Sequence, residues 1–235
     1  MKVLLLAAGL GTRLRPITNT IPKCLVPIGG KPLLQIWLER LSLAGFGPFL
    51  INTHYLHHKV EEFIEGSDFK DDVTLVFEPE LLGTAGTLIK NIDFFEGEDG
   101  MVLHADNYCL ANLKKFEQAH QNRPDHCDLT MMTFLTNDPQ SCGIVEVDER
   151  GVVVGFHEKV DEPPGNIANG AVYIFSKEAL KGLETQTLEQ NEITVSIIPK
   201  YVCKIASFAT KEMFMDIGSP ENLLRANSPK RKTFL

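Results

Sequence analysis

No aspartate or glutamate occurs before Glu39. The 38 residues before it carry five cationic side chains, Lys2, Arg13, Arg15, Lys23 and Lys31, in a chain whose formal net charge is −8. Such a local field inside an acidic protein suits a phosphate-bearing ligand. The acidic balance itself excludes a general nucleic-acid or membrane-surface binder, which needs a basic face. No run of 18 or more apolar residues occurs, so no helical membrane span is expected. The five cysteines, Cys24, Cys109, Cys127, Cys142 and Cys203, are odd in number and include no Cys-x-x-Cys pair. A disulfide framework and a structural zinc site therefore lack support, and reduced thiols in the cytoplasm are the simplest account. His126-Cys127 is one adjacent pair without further ligands. There is no internal repeat, no low-complexity segment and no Pro/Ser-rich linker, so a single domain over 1–235 is expected. A hydrophobic content of 43% is enough to build its core.

What is present begins with residues 3–7, an apolar run the length of a buried strand. It breaks at Ala8-Gly9-Leu10-Gly11-Thr12-Arg13. Gly9 and Gly11 carry no Cβ, so the backbone can turn sharply and approach a ligand. Successive N–H groups in such a turn can form a concave anion site. Three other patterns fail. A secretory signal would end in a small-residue cleavage site, whereas this run is short and ends in Gly and Arg. A dinucleotide fingerprint needs its third glycine where Leu14 stands. A Walker loop needs Ser or Thr after Gly-Lys, whereas Lys31 is followed by Pro32. A purely structural turn after a strand stays open on these residues alone.

The spacing predicts a helix over 33–44, with Pro32 near its first turn and Gly45 past its end. Leu33, Leu34, Trp37, Leu38 and Leu41 recur at helical spacing, which makes Trp37 a core residue rather than a stacking platform. Strands are expected over 49–52, 73–77 and 101–105, and a helix over 57–65 with Val60, Phe63 and Ile64 inward. His54, His57 and His58 read as solvated, for want of a carboxylate partner. At 78–87 the glycines and Thr84 suggest a tight loop into a helix over 85–91. Its start leaves N–H groups open to a ligand, though an ordinary capped start also fits. Asp106 follows a buried strand, where open α/β sheets place their ligand crevice. It can hold Mg²⁺ through oxygen, and a turn or N-cap aspartate also fits. Strands alternating with helices argue for a parallel, doubly wound sheet.

From Leu129 the pattern changes. Strands are expected over 129–135, 143–147, 152–156 and 171–175, with a hairpin turn at 148–151. A helix is expected over 192–202, with Ile193, Ile197 and Ile198 available for a core. Another starts with Ser219 as cap and Pro220 at its first position. Arg231 and Lys232 sit in a tail left without structure.

Residues 6–18, LAAGLGTRLRPIT, followed by 22–34, PKCLVPIGGKPLL, resemble the N-terminal signature of the sugar-1-phosphate nucleotidyltransferases, roughly LAxGxGTRLxPxT and PKxLxPxxxKP. The resemblance continues in LGTAG at 82–86, Asp106, SCGIV at 141–145, FHEK at 156–159, NGAVY at 169–173 and FMDIGSP at 214–220. Two departures stand out. Val160 replaces a usual proline, and Gly170-Ala171 reverses the family's Ala/Thr-Gly. The resemblance implies an α/β fold: a Rossmann-like mixed, mainly parallel central sheet flanked by helices, glycosyltransferase-A-like, with a small antiparallel extension in the second half. It implies a nucleotide-binding half over 1–128 and a sugar-phosphate-binding half over 129–235. Some relatives carry a further β-helical domain, for which this sequence is expected to have no room.

The implied reaction joins an NTP to a sugar 1-phosphate and releases pyrophosphate, with Mg²⁺ as cofactor. Arg13, Lys23, Asp106 and Lys159 are the implied catalytic residues, and Asp106 and Asp216 the metal ligands. Leu6, Ala8, Gly9, Gly11, Thr12, Arg13, Gly83, Thr84 and Gly86 would line the nucleotide, with 82–86 facing the base. Gly143, Glu158, Lys159 and Asn169 would hold the sugar phosphate. Read alone, Glu158-Lys159 is also a solvated charge pair. The base loop looks most like guanylyltransferases acting on mannose- or heptose-type 1-phosphates, while thymidylyl and uridylyl relatives use similar loops. A phosphocholine cytidylyltransferase and a catalytically silent, nucleotide-sugar-sensing regulatory subunit are the rival readings. Phe156, Tyr173 and Phe175 are too scattered for a choline cage, and the retained charged residues argue against silence. Expected partners are NTP and sugar 1-phosphate, without nucleic acid or membrane, in a monomer or homodimer.

Overall fold

Strand β1 (Lys2–Leu6) is the axis of the molecule. The computed structural model describes residues 1–185 and 191–228. After β1 the Gly9–Arg13 segment leads through tight turns to a small hairpin, β2 (Pro27–Ile28) and β3 (Lys31–Pro32). Helix α1 (Leu33–Leu43) starts directly from Pro32 and ends before Gly45, which turns at φ +74°. All five of its apolar residues at helical spacing are buried, including Trp37. Strand β4 (Phe49–Thr53), helix α2 (His57–Glu65) and strand β5 (Val73–Phe77) follow within a residue of expectation. Helix α3 (Gly83–Lys90) begins two residues earlier than the spacing predicts.

Strand β6 (Gly100–His104) ends just before Asp106, and β7 (Asn107–Cys109) begins just after it. Helix α4 (Leu113–Gln121) leads to β8 (Leu129–Leu135), β9 (Gly143–Val147), β10 (Val153–Glu158) and β11 (Ile167–Phe175). Then come α5 (Lys177–Leu183), β12 (Ile205–Ala209), β13 (Phe214–Asp216) and α6 (Pro220–Asn227).

Among the described residues nine strands form one sheet. Its backbone order is β10-β9-β11-β6-β1-β4-β5, and β8 joins β11 to β12. The β6-β1-β4-β5 pairings are parallel, as is β12 with β8. Strands β9, β10 and β11 add the antiparallel pairings. The fold is thus mixed, and the antiparallel strands extend the same sheet instead of forming a second layer. β1 is apolar on both faces because helices cover both, as a buried parallel strand requires. Among the described residues no helix is long and apolar enough to cross a membrane.

Two expectations change. Residues 192–202 form a wide turn at Ile193–Ile197 and a tight one at Ile198–Tyr201 rather than one helix. Pro199 has no N–H to continue a helical ladder; Ile193, Ile197 and Ile198 are nevertheless fully buried. Among the histidines, His57 does have a carboxylate partner, Glu61 at 3.0 Å, and His54 Nδ1 lies 2.7 Å from the Glu78 carbonyl. Arg231 and Lys232 lie outside the described residues.

Candidate active site

The parallel strands β6, β1, β4 and β5 deliver the loops that follow them to one end of the sheet. The loop after β1 is fixed at Gly11, which sits at φ +63°. A Cβ there would also stand 2.9 Å from Cγ2 of the buried Thr18. Thr18 closes the turn by donating its hydroxyl to the Gly11 carbonyl at 2.6 Å. Gly9, by contrast, has open space where a Cβ would go. Gly9, Leu10, Gly11, Thr12, Arg13, Lys23, Asp106 and Gly218 line a cavity of about 280 Å³.

Lys23 crosses the floor of this cavity and is only 7% exposed. Its ammonium donates to Asp106 Oδ2 and, over 3.1 Å, to Asp216 Oδ1. Arg13 reaches Asp216 Oδ2 over 3.4 Å from a side chain 72% exposed. Burial opposes the Lys23 charge, but Asp106 and Asp216 outweigh it and raise its pKa. Burial likewise opposes the Asp106 charge, and Lys23, then His104, hold its carboxyl below the usual range. The core positions this pair: Trp37 donates its indole N–H to the Asn107 carbonyl at 2.7 Å, next to Asp106. Strand β13 pairs with β7 and sets Asp216 opposite Asn107.

Asp106 and Asp216 offer a hard cation the oxygen donors it prefers. Among the described residues no group of three or more His, Cys, Asp or Glu side chains gathers to hold a metal. Two carboxylates with the rest supplied by substrate oxygens and water is the usual pattern for Mg²⁺. The Lys23 ammonium between both carboxylates marks that position as one that takes positive charge. The donor set fits the ion.

The expected nucleotide residues divide. Gly9, Gly11, Thr12 and Arg13 line the cavity; Leu6 and Ala8 are buried and do not line it. Gly83, Thr84 and Gly86 do not line it. The start of α3 is also less open than its sequence suggests, because the Asn191 carbonyl accepts from Ala85 N at 2.9 Å. The Thr84 hydroxyl donates to Glu192 at 2.7 Å and accepts from Ile193 N at 2.8 Å.

The sugar-side residues form a second cluster on β9, β10 and β11. Gly143 lies opposite Glu158. A Cβ at 143 would stand 2.7 Å from Glu158 Oε2 and 2.9 Å from the Phe156 ring, so glycine lets both lie across the strand. Lys159, at φ +49°, pairs with Glu158 at 3.4 Å. Asn169 accepts from Ala171 N at 2.9 Å and donates to the Tyr173 hydroxyl at 2.7 Å. It thereby holds the irregularity in β11, where Ala171 takes φ +49°. The exchanged pair is not interchangeable: a Cβ at Gly170 would meet the Met132 carbonyl at 2.9 Å, so alanine carries the left-handed residue.

Sequence reasoning missed two features. Asn52, Glu78 and Thr87 form a buried network between the β1 loop and α3. Asn52 accepts from Ala7 N at 2.8 Å and donates to Glu78 at 3.0 Å. Glu78, 1% exposed, also accepts from Thr87 at 2.5 Å and Leu82 N at 3.2 Å. An acidic residue directly after an apolar strand was the available signal, the same one that marks Asp106. The second is Gly218, where a Cβ would stand 2.6 Å from the Arg13 guanidinium and closer still to the Asp216 carboxylate.

A profile of the family described as nucleotidyl transferase matches residues 2–233. The chain is 30% identical over 228 residues to a mannose-1-phosphate guanylyltransferase of Mycobacterium tuberculosis, covering 95% of this chain and 62% of that one. It is also 30% identical over 235 residues to a UTP–glucose-1-phosphate uridylyltransferase of Synechocystis, covering 93% and 60%. The chain thus spans about three fifths of the length of these curated relatives. Among solved structures it superposes on HddC from Yersinia pseudotuberculosis, complexed with GMP-PN, at a TM-score of 0.79 and 28% identity, covering 96% of this chain and 97% of that one.

Proposed function

We propose that this chain, which belongs to the nucleotidyl transferase family, transfers a guanylyl group from GTP to a mannose- or heptose-type sugar 1-phosphate. The observation that carries the reading is the Lys23 ammonium held between Asp106 and Asp216, with Arg13 beside them, at the glycine-loop cavity. The base assignment draws support from the guanylyltransferase relative and from the GMP-PN bound to HddC. The uridylyltransferase of equal identity is the competing likeness.

In the proposed reaction an oxygen of the sugar 1-phosphate attacks the α-phosphorus of the NTP. A new P–O bond forms, the α–β bridge breaks, and its electron pair leaves with pyrophosphate. The nucleophile is already an anion, so no general base is needed. Repulsion is the obstacle: two unit charges ~4 Å apart at an effective dielectric of ~20 repel by roughly 4 kcal/mol. Cationic side chains must therefore gather the phosphates, and catalysis rests on positioning and electrostatics. Arg13 would hold the triphosphate and Lys23 would bridge donor and acceptor phosphates. Lys159 would hold the acceptor phosphate, while Glu158 and Asn169 read sugar hydroxyls. Mg²⁺ held by Asp106 and Asp216 would supply Lewis-acid neutralisation at the α-phosphate.

The test incubates the protein with Mg²⁺, each NTP in turn and a panel of sugar 1-phosphates, and measures pyrophosphate. Release with GTP and a mannose- or heptose-type acceptor is expected. Preference for UTP or dTTP replaces the base assignment, and no release with any pair overturns the reaction.

A further inference from the structure

Resting on the reading of Asp106 and Asp216 as metal ligands, a second property follows from who occupies their cleft. Lys23 touches both carboxylates and Arg13 touches one of them, so two cations and two anions balance. The balance is unequal in strength. Lys23 is buried, and water screens its attraction little. Arg13 is mostly exposed and its pairing is correspondingly weak. A divalent ion arriving alone must drive the ammonium off both carboxylates and leave it buried without an anion, which is costly. A triphosphate changes the accounting. The cavity beside Lys23 is walled by the Gly9–Arg13 loop, and an anion there can take over both cationic side chains. Asp106 and Asp216 are then uncompensated.

We infer that Lys23 stands in for the divalent cation in the free protein, so that the ion binds weakly alone and binds with positive coupling to the nucleotide through Lys23. Coupling of this kind is reciprocal: whatever factor the nucleotide adds to ion affinity, the ion adds to nucleotide affinity.

The test titrates Mn²⁺ into nucleotide-free protein and counts bound ion by electron paramagnetic resonance. Lys23→Met, similar in length and uncharged, binds Mn²⁺ about tenfold more tightly than the unaltered protein, within the usual range of a coupling energy. Adding Asp106→Asn to Lys23→Met abolishes the gain. Circular dichroism reports the fold of each variant. An unchanged or weaker affinity in folded Lys23→Met overturns the inference. Should Lys23→Met not fold, Lys23→Gln decides, because its amide removes the charge while keeping a polar group to donate toward the carboxylates: tighter Mn²⁺ binding supports the stand-in, and unchanged or weaker binding overturns it. Pyrophosphate release separates this failure from failure of the metal reading. If Asp106→Asn loses turnover while Lys23→Met gains no affinity, the stand-in role alone falls. If Asp106→Asn keeps full turnover, both fall together.

Discussion

The backbone N–H of Ile217 donates to the carbonyl oxygen of Asp106 over 3.1 Å. With the β7–β13 pairing, this bond brings two aspartates from opposite halves of the chain to one ammonium. The main chain does the positioning, so the carboxylates are free to serve a ligand. Substitutions at either side chain should therefore read out in chemistry before they read out in folding.

Asp106→Asn tests this directly. Asparagine keeps the size and an acceptor oxygen for Lys23, and the Ile217 bond is untouched. Turnover should fall on the order of 100-fold or more, the scale of losing one preorganised electrostatic contact. The circular dichroism spectrum should stay unchanged. Full pyrophosphate release from the variant would remove the metal assignment.

Gly218→Ala probes the same cleft from its edge. Residue 218 has no left-handed φ, so alanine suits its backbone. The added methyl instead displaces the Arg13 guanidinium or the Asp216 carboxylate, both mobile side-chain ends. Gly218 is buried, so the added methyl should cost about 1 kcal/mol, the low end for overpacking, because the atoms it meets are side-chain ends rather than backbone. A displacement near 1 Å can cost up to about 100-fold in rate, so kcat should drop far more than that small loss of stability accounts for. Equal losses in both would show that Gly218 serves folding alone.

Most of the sheet was legible because its strands are apolar runs bounded by Gly, Pro and polar turns. Strand β8 and helix α2 fall on their expected bounds. What failed to show was whatever depends on contact between distant segments. Nothing in 82–86 announces that Asn191 and Ile193 occupy the start of α3. Nothing local to Gly218 announces Arg13. The loop residues of the cavity were readable because a glycine turn carrying Arg13 is a local signal. The Asn52–Glu78–Thr87 network was only partly so: Glu78 directly after an apolar strand is a local signal, but its pairing with Asn52 and Thr87 depends on contact between distant segments.

Lys159→Ala should separate the two substrates. On the proposed reading Lys159 meets the acceptor phosphate, and losing a charge-assisted contact costs about 1.5–3 kcal/mol. The KM for sugar 1-phosphate should rise about tenfold or more, with the KM for GTP little changed. In the free protein the Lys159 side chain is mostly exposed and pairs with neighbouring Glu158, so folding should not suffer. Equal losses for both substrates would contradict the placement.

His120 gives the fold a pH dependence remote from the cleft. The imidazole is buried against β8, with Nδ1 2.8 Å from the Thr130 hydroxyl and Nε2 3.3 Å from Asp99. Burial, then Arg123, push its pKa down to about 4, and Asp99 offsets this only in part. The unfolded chain, with a histidine near its ordinary value of 6.5, therefore binds the proton more readily than the folded one. Stability from this group is complete above pH 6.5 and is lost as pH falls toward 4. The loss amounts to about 3 kcal/mol, at about 1.4 kcal/mol per pH unit. Urea unfolding at pH 7 and pH 5 should show about 2 kcal/mol of it, against a background of carboxylates that also weaken in acid. His120→Gln keeps a partner for Thr130 without a titrating ring, so its stability should fall less over the same interval. Identical slopes for the two proteins would mean that His120 is protonated in the folded state as easily as in the unfolded chain.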